Sequence, residues 1–109
     1  MSNAPKAPQM PLTAEQVAAN TARLEKCQAA VTAARAQRVI YSTKNMPSYI
    51  EVGPAFYELP VGEKQAVADL VNCVAVGGDN TCHVTYGLLD YRTGKAVAYY
   101  VNDGVLDLQ

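Results

Sequence analysis

The spacing of apolar residues changes character twice along this chain, and each change marks a boundary in the fold. From Ala14 to Ile40 there is no Gly or Pro and Ala is frequent, which favours a helix of about six turns. Its larger apolar residues, Val17, Leu24 and Val31, recur every seven, with Cys27 and Ala34 filling the same seam. Thr13 and Gln16 have the spacing of a capping box, and Leu12 and Val17 that of a hydrophobic staple. Ala18, Ala22, Ala29, Ala30 and Ala33 keep this helix thin. The favoured reading is a helix lying on its own sheet; a dimer seam is the alternative, short of anchors for an autonomous coiled coil.

The middle of the chain mixes both periods. Arg38-Val39-Ile40-Tyr41-Ser42 turns β-branched and aromatic, beginning a strand or simply ending the helix. Lys44–Pro47 is a turn, because Pro47 disfavours helix at Met46. Ser48–Val52 alternates as a strand does, and Gly53-Pro54 ends it. Pro54–Leu59 is read as one irregular helical turn anchored in the core by Phe56. A second helix is expected from about Val61 to Val74, since Val67, Leu70, Val71 and Val74 form one apolar stripe. Gly77 and Gly78 stop it.

Beyond them the period becomes two. His83 to Val101 is expected to form a β-hairpin turned by Arg92-Thr93-Gly94, with Asp90 bonding N–H groups inside the loop. Asn102-Asp103-Gly104 is a second turn, and Val105–Leu108 a third strand. The whole is an α+β domain: a long N-terminal helix, a strand, a second helix, and a C-terminal antiparallel meander of three strands. The helices pack on one face of a three- or four-stranded sheet. Residues 1–11 read as a flexible tail, Ser2-Asn3-Ala4 matching the scar of a cleaved tag, and residues 12–109 as one domain.

Charge narrows the function. Nine basic and ten acidic residues give a net charge of −1, poor footing for nucleic-acid binding. Arg23, Lys26, Arg35 and Arg38, placed on one continuous helix, spread over about 180° and read as a solvated face. No apolar run reaches the ~20 residues of a membrane span. Charged residues are only 17% of the chain, against a usual ~25%, so polar uncharged side chains or a partner must cover the surface.

Candidate chemistry is sparse, and no cofactor or metal is expected. Thr93-Gly94-Lys95 lacks the spacing of a phosphate loop. Cys82 and His83 are neighbours in what reads as a strand, so their side chains diverge and make no dyad. The three cysteines contain no C-x₂-C pair for zinc. Cys73 and Cys82 are the candidate disulfide, with Cys27 turned toward the core; an exported protein would favour a bridge, a cytoplasmic one free thiols. The compartment stays open between these two.

Tyrosine is the unusual enrichment, with seven Tyr against one Phe and no Trp. Tyr86, Tyr91, Tyr99 and Tyr100 lie on the hairpin, and Tyr99 and Tyr100 must face opposite ways. If the helices cover Val97, Tyr99 and Val101, then Tyr100 lies outward. These four are the candidate protein-binding residues, since Tyr is enriched in interface hot spots. The leading expectation is a non-enzymatic binding or assembly module, pairing with another protein or with itself as a homodimer through the sheet face or the first helix. Two alternatives stand beside it. One is an exported bacterial accessory or inhibitor protein. The other is a small hydrolase or transferase using carboxylates and Tyr in a cleft by the Phe56 segment.

Overall fold

The computed structural model describes residues 12–101 and 103–109; the tail of residues 1–11 and Asn102 lie outside the described residues. Two helices, α1 (Ala14–Ala36) and α2 (Val61–Ala75), pack against a five-stranded mixed sheet. The strands are β1 (Ile40–Ser42), β2 (Tyr49–Val52), β3 (Tyr86–Asp90), β4 (Ala96–Tyr100) and β5 (Leu106–Leu108), side by side in chain order. The α+β class and the three-stranded C-terminal meander match the sequence pattern. The expected three or four strands become five, because Ile40–Ser42 pairs with β2 instead of merely ending the helix.

α1 starts where its cap predicts. Gln16 N donates to Thr13 Oγ1 at 3.0 Å and Thr13 N to Gln16 Oε1 at 2.8 Å, a complete capping box. It ends at Ala36, four residues short of Ile40. Arg38 takes φ 64°, the left-handed conformation. Val39 N reaches Ala34 O at 2.9 Å and Arg38 N reaches Arg35 O at 3.1 Å, the paired bonds of a Schellman motif. Glycine normally holds that position, because a Cβ crowds the backbone there. The reversal sends Val39 and Ile40 into the core, 7% and 1% exposed. Gly53 then passes so close to the Arg38 carbonyl that a Cβ would overlap its oxygen, while Gly53 N donates to Val39 O and Ala55 N to Arg38 O.

β2 and β3 are the one parallel pair, connected through a 3-10 turn (Pro54–Glu58) and α2; the other pairs are antiparallel. A single core lies between sheet and helices, built on Ile40, Ile50, Val52, Phe56, Val71, Leu88 and Tyr100. The α2 stripe is rotated from its expected line. Val67 and Val71 are buried as predicted, but Ala68 and Asn72 join them while Leu70 and Val74 are half-buried. Buried Asn72 is fully used: its Nδ2 donates to Cys82 O at 2.9 Å, and its Oδ1 accepts from Val84 N at 2.8 Å. That clamp holds residues 82–85 in a loop, so the hairpin ladder begins at Tyr86 and not at His83.

The helices are stapled together by a disulfide between Cys27 of α1 and Cys73 of α2, with Cα atoms 6.2 Å apart. The Cys73–Cys82 pairing expected from sequence does not form. Cys73 faces α1, its sulfur near Arg23 O, whereas Cys82 sits exposed as a free thiol in the turn that Asp79 closes.

Candidate binding surface

The sheet has a covered face and an open one, and burial assigns the tyrosines between them. Tyr86 and Tyr100 point to the helices, 3% and 0% exposed, with ring centroids 5.2 Å apart. Tyr86 Oη donates to Ala68 O at 2.7 Å and Tyr100 Oη to an Asp69 oxygen at 2.8 Å. Burial pushes the Tyr86 hydroxyl far above its ordinary range; burial, then the bond to Asp69, does the same for Tyr100. These rings are core anchors, each with its polar end satisfied on α2. The sequence condition that would have placed Tyr100 outward is not met. Tyr99 is the outward residue, 42% exposed, because Ala98 and Tyr100 occupy the helix-covered face.

On the open face, register aligns Tyr49 with Gly87, Gly87 with Tyr99, and Tyr99 with Asp107. A Cβ on Gly87 would lie 3.6 Å from the Tyr99 ring and 3.8 Å from Tyr49 Cβ. The two tyrosines thus flank a residue without a side chain, with Leu89 beside them. Glu51 and Leu89 form the adjoining row. Neither helix covers this row of half-exposed aromatic and aliphatic side chains. Sequence reading missed Tyr49 because the parallel register bringing it beside Gly87 has no local signal.

Tyr91 belongs to neither group. It follows β3 and stacks with Tyr41 of β1, centroids 5.2 Å apart at 33°, while the Arg92 guanidinium lies 5.4 Å over its ring. The preceding Asp90 is spent within the turn, as expected. It accepts from the N–H groups of Arg92 and Thr93, each at 2.9 Å, and from the Tyr57 hydroxyl. The Tyr57 hydrogen bond, aided by the Thr93 and Arg92 amides, holds the Asp90 carboxyl down to about 2. Burial, then the bond to Asp90, pushes Tyr57 up to about 12.

Beside the Phe56 segment lies a groove of about 350 Å³ whose lining includes Tyr57, Lys64, Val97 and Leu108. None of its lining side chains is acidic, so it supplies no pair of carboxylates. His83 packs on Gly104 and lies 6.2 Å from the Tyr100 ring, beside the exposed Cys82. Among the described residues no three His, Cys, Asp or Glu side chains converge as metal ligands, and no helix is long and apolar enough to cross a membrane. No protein family, curated protein or solved structure matches the chain.

Proposed function

We propose that the protein is a non-enzymatic binding module that engages a protein partner through the open face of its sheet. The observation that carries this reading is the row Tyr49–Gly87–Tyr99, a pair of half-exposed rings around a glycine on a face the helices leave bare. Tyrosine presents large contact area at low conformational cost and a hydroxyl for hydrogen bonding, which suits it to such surfaces. Tyr86 and Tyr100 support the site from beneath as packed core.

The Cys27–Cys73 bridge favours the exported form of this reading, an accessory or inhibitor module working in an oxidising compartment. A photo-crosslinking amino acid at Tyr99, introduced in the source organism, tests the proposal together with light scattering on the purified protein. A discrete adduct or a dimer that Tyr49→Ser abolishes, with the melting temperature unchanged, is the expected result. A monomer giving no adduct from Tyr99 overturns it.

A further inference from the structure

We infer that the groove where α1 turns into β1 binds a small molecule carrying an anionic group beside a flat ring. The groove has a volume of about 390 Å³ and is lined by Arg35, Arg38, Tyr41, Gly53, Pro54 and Tyr91, with Ile40 also contributing. That volume lies within the range of small-molecule sites, ~300–1,000 Å³.

Two arginines line this groove, and among the described residues neither is paired with a carboxylate. The ion pair among the described residues joins Arg92 to Asp90, not Arg35 or Arg38 to any acid. Arginine is suited to planar oxyanions because its fork of N–H donors fits two oxygens at once. Tyr41 and Tyr91 add two tilted, contacting rings to the same lining, Tyr41 57% exposed. With Tyr91 under the Arg92 guanidinium, the exposed Tyr41 ring is the one that offers a face on which a flat group can stack. The lining therefore combines two cationic and two aromatic residues.

The backbone adds an independent observation. Arg38 occupies the left-handed helix-end position that glycine would fill without strain. A long cationic residue is held there against the local conformational preference, and it lines the groove. Strained residues of this kind concentrate at binding sites. Sequence reading assigned Arg35 and Arg38 to a solvated helix face. The reversal at Arg38, beyond the helix end at Ala36, instead puts both arginines in one groove lining with Tyr41, Gly53 and Tyr91.

The experiment is a titration of isotope-labelled protein with phenyl phosphate, benzoate, cyclohexyl phosphate and inorganic phosphate, followed by amide shifts. Phenyl phosphate or benzoate should saturate shifts at Tyr41, Gly53 and Tyr91, at least tenfold more tightly than the two ringless or saturated probes. The tighter of the two aryl probes identifies the anionic group. Arg38→Gly should weaken that binding tenfold or more while raising the melting temperature, so lost binding cannot be ascribed to lost folding. Arg35→Gln, checked for an unchanged spectrum, should weaken it similarly. Unaltered affinity in both variants, saturation at other residues, or no saturable binding of either aryl probe would overturn the inference.

Discussion

Reducing the Cys27–Cys73 bridge should separate α1 from the rest of the molecule before anything else fails. Only Cys27, Val31 and Ala34 of the 23-residue α1 are buried, so the helix presents a narrow apolar face to its neighbours. The bridge spans a sequence separation of 46. Closing a loop of that size removes denatured-state entropy worth about 4 kcal/mol at 25 °C on the chain-entropy model. For a domain of this length, ~4–8 °C of melting temperature accompanies each kcal/mol, so reduction should lower the midpoint by roughly 15–30 °C. Circular dichroism melts of the oxidised protein and of Cys27→Ser/Cys73→Ser would measure the fall. Thiol counting in denaturant should find one free thiol before reduction and three after. Amide exchange should show protection lost first along α1, while β2, β3 and β4 keep theirs. A fall of less than 5 °C in the double variant would refute the reasoning, because packing alone would then be holding α1.

Two further expectations follow from backbone geometry and from the hairpin turn. Gly77 and Gly78 both have positive φ, 67° and 84°, but only Gly78 is crowded, by the Asn20 carbonyl of α1. Gly77→Ala should therefore cost about 1–2 kcal/mol and Gly78→Ala roughly 3 kcal/mol or more, measured by urea midpoints; equal costs would show that the loop does not press on α1. Asp90 has its folded pKa depressed to about 2, so its contribution is present above the unfolded value of about 4 and lost as pH falls through about 2. Tyr57 has its folded pKa raised to about 12, so its contribution is full below about 10 and lost as pH rises toward 12. Urea midpoints across pH should flatten at the acid end in Asp90→Asn and at the alkaline end in Tyr57→Phe.

Local signals made much of this fold legible. The Thr13 capping box, the Gly77-Gly78 stop and the Asp90 turn each act within a few residues, and each lies where the chain pattern puts it. Features set by distant contacts were not legible. The opposition of Tyr99 and Tyr100 follows from strand geometry, but which of them is buried depends on α2 offering Asp69 to the Tyr100 hydroxyl. The disulfide partner of Cys73 depends on which way α2 rolls. The rolled helix buries Asn72, whose amide then draws Cys82 into a loop and away from any bridge. Helix periodicity also carried α1 past Ala36, which kept Arg38 on a helix face and away from Gly53 and Tyr91. No substitution pattern in the sequence announces a left-handed arginine, since glycine is the usual signal for that conformation.

The single parallel ladder between β2 and β3 divides assembly of the sheet into unequal tasks. The β1–β2 pair and the β3–β4–β5 meander can each form from neighbouring stretches of chain, at low loop-closure cost. Joining them requires the intervening segment to fold over first, because a parallel partner cannot be reached by a tight turn. That junction should consequently be the slow, non-local step of folding. Amide exchange in mild denaturant should show the molecule opening along this line into two halves. Tyr49, Gly87 and Tyr99 straddle this line, so a partner seated on them would bridge both halves and resist their parting.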